Sequence, residues 1–194
     1  MKSLLLKNLP LVGIFILSSS MLYAEEENQL YVGIGAGTAD YQKGPFNDDD
    51  NLKTFSIGYD YSDFYSVEVS YLDLGTVSDR YFPNNVITVT PDTLMLDVKG
   101  LTIAPAFEFD LSPHWSVSAR LGLAVLEFDK TWFGGTVIDD TYLYDDGVTE
   151  TDFFYGFRLQ YDMNDHTTFE LNWDKYEVDS IDVDTVYAKL NFYF

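Results

Sequence analysis

Few residues in this chain could do chemistry, and none forms a complete catalytic set. The sequence has no cysteine and two histidines, His114 and His166. His114-Trp115-Ser116 places a possible general base two positions before a hydroxyl, as nucleophilic catalysis would require. We expect a turn there instead, because Pro113 fixes φ and each histidine falls in a short polar connection. The sequence therefore predicts no enzyme, no cofactor and no thiolate metal site.

Acidic residues dominate the charge. The chain has 32 Asp and Glu against 11 Lys and Arg, a net charge of −21. A nucleic-acid partner is not expected, because phosphate backbones require a basic face. Runs such as 48–50 and 145–146 lack the spacing of a calcium-binding loop. We interpret them as solvated acidic loops without a metal; weak binding of Ca²⁺ or Mg²⁺ is the alternative.

The elements that must position these residues are β-strands, because apolar and polar residues alternate with period two. Three short turns, near residues 61–64, 110–114 and 162–166, follow one another at a spacing of about 50 residues. They share a pattern in which Asp60, Asp110 and Asp162 each precede a small hydroxyl residue by six positions. The predicted strands are 29–40, 52–61, 65–74, 98–109, 115–127, 152–161, 167–175 and 184–194.

One face of these strands is rich in glycine and polar residues and is predicted to point into a barrel. Its ionisable members are three acids and three bases, so the interior is close to neutral although the chain is not. A narrow interior cannot hydrate lone charges, which favours an ion-pair network that is either structural or gating. The six residues are Glu68, Glu108, Arg120, Arg158, Glu170 and Lys189.

The opposite face is apolar and uncharged, which is typical of a transmembrane β-barrel. It ends in a C-terminal strand with alternating apolar residues that we interpret as an assembly signal: Val186, Ala188, Leu190, Phe192 and Phe194. A soluble barrel or sandwich with this face inward would have to bury more than thirty bulky residues, which is difficult in one small domain. The fold class is therefore all-β, an eight-stranded antiparallel up-and-down barrel.

Two features do not fit a regular pattern. The outward residues of the fourth predicted strand, such as Leu101, are at odd positions, but the apolar residues before it are at even positions: Leu94, Leu96 and Val98. A β-bulge at Lys99-Gly100 would account for this change. Pro105 lies within a predicted strand and has no N–H, so a ladder hydrogen bond should be missing there.

The N-terminus predicts export. Lys2 and Lys7 precede an apolar run and a small residue, Ala24, which is the order of a secretory signal peptide. We place the signal peptide at 1–24 and one barrel domain at 25–194. Cleavage would make the net charge two units more negative.

These residues resemble the small outer-membrane barrels of the OmpA/OmpX-like family. The resemblance rests on the Gly-rich segment 30–37, on 67–75 with its inward Glu68, on 118–122, and on the terminal alternation ending in Phe194. It implies location in a bacterial outer membrane, with short turns in the periplasm and long loops outside. It covers the barrel alone, so the peptidoglycan-anchoring role of two-domain members is not expected.

For function, the resemblance and the pattern together favour a structural envelope protein with adhesion-like contacts at its surface loops. The alternatives are a narrow porin-like channel for ions or small solutes and an enzyme that modifies lipid A. Expected partners are outer-membrane lipid and lipopolysaccharide, the barrel-assembly machinery through the C-terminal strand, and an extracellular ligand at loops 75–97 and 128–151. These loops could instead extend the barrel wall as a protruding sheet. We expect a monomer.

Overall fold

The computed structural model describes residues 29–43, 46–81, 92–136, 139–178 and 181–194. The predicted signal peptide at 1–24 lies outside these residues. The described residues contain no helix long and apolar enough to cross a membrane.

Eight β-strands make up almost all of the described chain. Short two-residue turns at 63–64, 113–114 and 165–166 join them at one end of the molecule, here called the turn end; the other end is the loop end. The strands are β1 (Gln29–Lys43), β2 (Phe46–Ser62), β3 (Tyr65–Tyr81), β4 (Asp92–Ser112), β5 (Trp115–Thr136), β6 (Asp139–Asn164), β7 (Thr167–Val178) and β8 (Ile181–Tyr193).

Each strand pairs antiparallel with its sequence neighbours, and β8 pairs back with β1 to close a barrel. The closing seam runs from Tyr31 opposite Tyr193 to Tyr41 opposite Val183. The amide of Phe194 extends it by donating to the carbonyl of Leu30 at 3.0 Å. Closure leaves no free strand edge within the barrel wall, as a membrane-spanning sheet requires. The predicted eight-stranded up-and-down barrel is confirmed.

The 50-residue repeat corresponds to three equivalent turns. The pairing register shifts just before each turn, at Asp60/Ser62, Asp110/Ser112 and Asp162/Asn164. The three aspartates lie directly opposite the small hydroxyl residues that follow them by six positions, Ser66, Ser116 and Thr168. The last carbonyl of each turn accepts an amide hydrogen bond from a neighbouring strand, at 2.9–3.0 Å, which ties successive hairpins together.

The strands are longer than predicted, and most of the difference lies at the loop end, because at the turn end no strand extends more than three residues beyond its predicted bound. Most of the predicted loops 75–97 and 128–151 is strand, so the interpretation as a protruding sheet is the correct one. Residues 76–81, 92–97, 129–136 and 139–147 pair in sequence as a four-stranded extension, here called the surface sheet. The pairing of β2 with β3 ends at Lys53 opposite Asp73, and that of β6 with β7 ends at Phe154 opposite Tyr176. Among the described residues, the surface sheet therefore makes no backbone pairing with β2 or β7.

The predicted bulge at Lys99-Gly100 is wrong. The strand β4 continues without interruption, and the register shift lies on the neighbouring strand, between Asp73 and Thr76 of β3. Leu96 and Val98 lie on the same inward face of β4 as Ala104 and are fully buried. Their apolar character reflects an apolar barrel interior at this level, not a change of face.

Gly75 forms the bulge in β3, with a φ of 82°. The carboxylate of Asp50 on β2 caps it: the amides of Thr76 and Asn51 each donate to Asp50 at 2.6 Å. These hydrogen bonds, that from Thr76 first, lower the pKa of Asp50 below its usual value. A carboxyl whose pKa is lowered by folding stabilises the fold above its unfolded pKa and ceases to do so as the pH falls through its folded pKa. The cap is therefore fully formed at neutral pH.

Pro105 is accommodated by an interruption of the ladder. Pairing of β4 with β5 runs to Ile103 opposite Leu123 and resumes at Ala106 opposite Arg120, without a shift of register. The pairs that would include Ala104 and Pro105 are not formed. The predicted loss of a ladder hydrogen bond at this proline is confirmed.

We predict that Gly75→Ala lowers the free energy of unfolding by roughly 1–3 kcal/mol, the cost of holding a non-glycine residue in a left-handed conformation. An added Cβ would also lie 2.6 Å from the capping carboxylate of Asp50. Urea unfolding in lipid vesicles, followed by gel migration of unboiled samples, measures the effect. Gly147→Ala is the matched control, because Gly147 has no positive φ and its nearest contact would be 3.0 Å. Equal losses of unfolding free energy in the two variants would contradict the requirement for glycine at the left-handed position 75.

Candidate functional site

The structure brings five of the six predicted interior residues together. They come from five strands and point into the turn-end half of the barrel, with residue exposures of 0–5%. The five are Glu68 of β3, Arg120 of β5, Arg158 of β6, Glu170 of β7 and Lys189 of β8.

Glu68 is the centre of this network. Its two carboxylate oxygens accept from five donors on five different side chains, three of them cationic, so the buried charge is fully compensated. The donors are Tyr31 Oη at 2.9 Å, Ser70 Oγ at 3.0 Å, Arg120 Nη1 at 3.1 Å, Arg158 Nη2 at 3.1 Å and Lys189 Nζ.

Glu170 forms a second centre on the β7–β8 side. Arg158 Nη1 lies 3.3 Å from Oε1, and Lys189 Nζ lies 2.9 Å from Oε2. Asn172 and Asn191 add amide donors to the same carboxylate. Arg158 and Lys189 thus bridge Glu170 to Glu68, and the two acids share their cations.

Asp174 is the acid that the sequence analysis missed. It is fully buried, and Arg120 binds it through two nitrogens, Nε donating to Oδ1 at 2.7 Å and Nη2 contacting Oδ2. Tyr187 Oη donates to the same carboxylate at 2.9 Å. Gly156 makes room for this group, because a Cβ at Gly156 would collide with the Asp174 carboxylate. Asp174 has the inward parity of Glu170 and Asn172, which was a usable signal.

Glu108 does not belong to the network. It is partly exposed and lines a cavity of about 500 Å³ at the turn end together with Asp60, Asp162 and His114. The ion pairs of the described residues do not include it. The network nevertheless contains three acids and three bases, as predicted, because its third acid is Asp174 and not Glu108.

The loop-end half of the interior is apolar. Sixteen residues form one buried cluster, each exposed by 3% or less. Phe154 and Tyr176 stack at 5.0 Å on the side of this cluster that faces the network, and the Arg120 guanidinium lies 5.5 Å from the Phe154 ring centre. The members are Ala39, Tyr41, Leu52, Leu72, Leu74, Val77, Leu96, Val98, Ala104, Ala124, Leu126, Phe128, Phe154, Tyr176, Val183 and Tyr187.

The outer surface shows where a bilayer would lie. Facing positions of four strands carry an alternating charged row at the loop end: Lys53 is opposite Asp73, Asp73 is opposite Lys99, and Lys99 is opposite Glu127. The next outward positions toward the turn end are uncharged: Phe55, Tyr71, Leu101 and Val125.

Aromatic residues mark the border of this uncharged band at the turn end. The ring centres of Trp115 and Tyr161 lie 4.8 Å apart, and those of Tyr59 and Tyr61 lie 4.7 Å apart. An apolar band between an aromatic girdle and a charged row is the surface of a membrane barrel.

A model of the family described as "Outer membrane protein beta-barrel domain" matches residues 9–194. The chain belongs to this family. No curated protein matches the sequence. As a member of the family, it is a β-barrel protein of the outer membrane; in such barrels short turns ordinarily face the periplasm and the longer connections face outward.

Solved structures of other outer-membrane proteins share the fold at low sequence identity. Ail, the attachment invasion locus protein of Yersinia pestis, is 16% identical, with a TM-score of 0.55 over 87% of this chain and 99% of Ail. Neisserial surface protein A is 13% identical, with a TM-score of 0.58 over 85% and 97%. A major outer membrane protein of Thermus thermophilus is 10% identical, with a TM-score of 0.55 over 85% and 99%. At these identities the likeness shows the fold alone.

The alternating apolar residues of β8 lie on the outer face of the barrel, and Phe194 follows them. Val186, Phe192 and Phe194 are exposed to the lipid side by 56%, 39% and 78%, and Ala188 and Leu190 alternate with them. The intervening Lys189 points inward to Glu68 and Glu170. One strand thus carries both the outward apolar row and an inward cation.

The possible catalytic residues lie apart from this arrangement. Ser116 is buried inside the barrel, whereas His114 is exposed in the turn with its ring 6.3 Å from that of Tyr161. Within the described strands, no group of three or more His, Asp or Glu side chains is arranged to hold a metal ion.

We predict that Asp174→Ala lowers the free energy of unfolding by about 3–5 kcal/mol, because it leaves the buried Arg120 without its closest counter-charge. Urea unfolding in lipid vesicles measures this. Glu108→Ala is the matched control and should cost far less, since Glu108 makes no ion pair with the described residues. The double variant Asp174→Ala/Arg120→Met should be more stable than Asp174→Ala, because it removes the uncompensated charge. A double variant that is less stable than the single one would contradict this account.

Proposed function

We propose that this protein is a closed, non-conducting and non-enzymatic barrel that serves envelope integrity and makes adhesion-like contacts through its surface sheet. The observation that carries the proposal is the division of the interior into two filled layers. A charged network occupies the periplasmic half, and an apolar cluster occupies the outer half.

The two layers argue against the alternative of a narrow channel. Eight strands enclose an interior that side chains can fill completely. The network residues are exposed by 5% or less and the cluster residues by 3% or less. An ion that passed the network would still have to cross the apolar layer without hydration, which is energetically prohibitive. Rearrangement of Glu68 and Arg120 alone would therefore not open a path.

The surface sheet supports the second half of the proposal. Recognition tends to be carried by segments that a rigid scaffold holds out into solvent. Here four hydrogen-bonded strands extend beyond the charged row that marks the membrane border. Ail of Yersinia pestis has been solved in complex with the heparin analogue sucrose octasulfate. The net charge of −21 here favours a cationic or neutral ligand instead of a polyanion.

The other proposed partners are those that a barrel meets in the outer membrane. The uncharged outer band contacts membrane lipid, and the charged row at its outer border contacts lipopolysaccharide head groups. The alternating residues of β8 that end at Phe194 serve as the signal for the barrel-assembly machinery. The protein acts as a monomer, because the closed wall leaves no strand edge free inside the membrane.

Planar-bilayer recording of the refolded protein tests the closed barrel. We expect no discrete openings from the wild type, from Glu68→Ala or from Arg120→Ala, because the apolar layer remains in each. A general porin inserted in the same bilayers controls for fusion and detection. Discrete openings in the wild type that change in either variant would establish the channel alternative.

The absence of catalysis is tested by mass spectrometry of lipid A from cells that express the protein. We expect identical lipid A masses with the wild type, with Ser116→Ala and with an empty vector. A mass shift that is present with the wild type and lost in Ser116→Ala would show an enzyme.

A further inference from the structure

The cavity at the turn end, here called the turn-end cavity, has no part in the function proposed above. Its volume is about 500 Å³, which lies within the range of small-molecule sites. Along β6 its wall residue Gln160 follows the network residue Arg158 by two positions, so the cavity begins where the network ends. A ligand in it would therefore be reached from the turn end and would lie against a filled barrel.

The charge of the turn-end cavity is one-sided. Among the described residues that line it, five are acids from three successive hairpins and none is Lys or Arg. The nearest cation along β6, Arg158, already pairs with Glu68 and Glu170. A cation that entered the cavity would meet carboxylates without a competing base. The five acids are Asp60, Asp63, Glu108, Asp162 and Asp165.

A buried hydroxyl at this cavity has no partner. Ser116 is 3% exposed and lies on the inward face of β5. It is directly opposite Gln160 and diagonally across from Glu108, and both of these residues line the cavity. No hydrogen bond of ordinary geometry satisfies its Oγ within the described part of the chain. Buried hydroxyls are normally hydrogen-bonded, so Ser116 points to a group that the protein itself does not supply.

The repeat of the three turns shows how this hydroxyl could have been satisfied. In the hairpin of β6 and β7, the hydroxyl of Thr168 donates to the carboxylate of Asp162 at 3.1 Å. Ser116 is paired with Asp110 in the same way, but Asp110 is exposed and does not accept from it. The hydroxyl of Ser116 is therefore available to a ligand, whereas that of Thr168 is not.

The placement of the acids selects among cations. A hard metal ion needs about six to eight oxygen ligands around one point. Within the described residues, no group of three acidic or histidine side chains is arranged in that way. Carboxylates on three hairpins instead match a ligand whose charges are separated along a chain. Each protonated primary amine of such a ligand donates three hydrogen bonds, which carboxylate, amide and hydroxyl oxygens can accept.

We propose that the turn-end cavity binds a linear aliphatic polyamine. Its ammonium groups lie at the carboxylates of Asp60, Glu108 and Asp162, and one of them donates to Ser116 Oγ. Its methylene chain crosses the cavity beside Pro113, which is part of the wall. The site is independent of the surface sheet and requires no passage through the barrel.

The test uses the refolded protein in nanodiscs of phosphatidylcholine, a lipid without net charge that does not compete for amines. Isothermal titration calorimetry compares spermidine, butylamine and Mg²⁺. We expect one spermidine per chain, with an affinity that falls as salt rises. Butylamine should bind at least about tenfold more weakly, because it can meet only one carboxylate at a time. Mg²⁺ should compete no better than sodium chloride of the same ionic strength.

Glu108→Gln and Asp60→Asn each remove one charge from the cavity and keep the shape of the side chain. Each should weaken spermidine binding by about tenfold. Asp110→Asn is the matched control, because Asp110 lies on the same strand as Glu108 but does not line the cavity, and it should change the affinity by no more than about twofold. Ser116→Ala should weaken binding by about threefold. Gel migration of unboiled samples verifies that every variant is folded.

Amide chemical shifts measured by NMR locate the bound amine. The largest changes should occur at Asp60, Glu108 and Gln160. Changes concentrated in the acidic segment 139–153, or equal losses of affinity in Asp110→Asn and Glu108→Gln, would show unspecific attraction to an acidic surface and would overturn the proposal. The absence of spermidine binding, or tighter binding of Mg²⁺, would also overturn it. None of these outcomes alters the conductance result, so the closed barrel stands or falls separately.

Discussion

The structure depends on compensation of the charge on Glu68. Side chains fill the barrel around Glu68 and leave this residue 2% exposed, so its charge must be met by protein groups or be absent. Three cations and two hydroxyl donors meet it here, and two of the cations are shared with Glu170. The third, Arg120, is shared with Asp174. Each acid therefore needs the others, because the removal of any one would leave three buried cations with only two acids.

This dependence also specifies how the barrel closes. The network draws its charged groups from β3, β5, β6, β7 and β8, while β1 contributes Tyr31. A slip of one residue in any of these strands would turn its inward charge toward lipid. The penalty for a charge on the lipid face is several kcal/mol for a basic group near the middle of the bilayer. Lys189 is in this respect the decisive residue of the last strand, since it can reach Glu68 and Glu170 only when β8 pairs with β1 in the observed register.

Period-two alternation was sufficient to predict the strands of the membrane region and the inward side of five of the six network residues; Asp174 was missed. It failed at the outer half, for two physical reasons. The segments 75–97 and 128–151 contain Gly, Pro, Asn and Asp residues that are typical of loops, and only cross-strand pairing makes their described parts strands. The inward Leu96 and Val98 are as apolar as the lipid-facing Leu101, so hydrophobicity alone cannot tell the interior from the membrane at that level. The bulge at Gly75 could not be placed for the same reason, because it lies on the strand beside the one whose pattern looked irregular.

The two halves of the interior explain why the surface sheet can be acidic. The network balances its own charge, and the apolar cluster separates it from the outer surface. The charged row at the border between membrane and surface also has no net charge, because Lys53 and Lys99 alternate with Asp73 and Glu127. The excess negative charge of the chain therefore lies outside the buried network. Where water and salt screen this charge, it costs little in stability, and it favours partners of opposite sign.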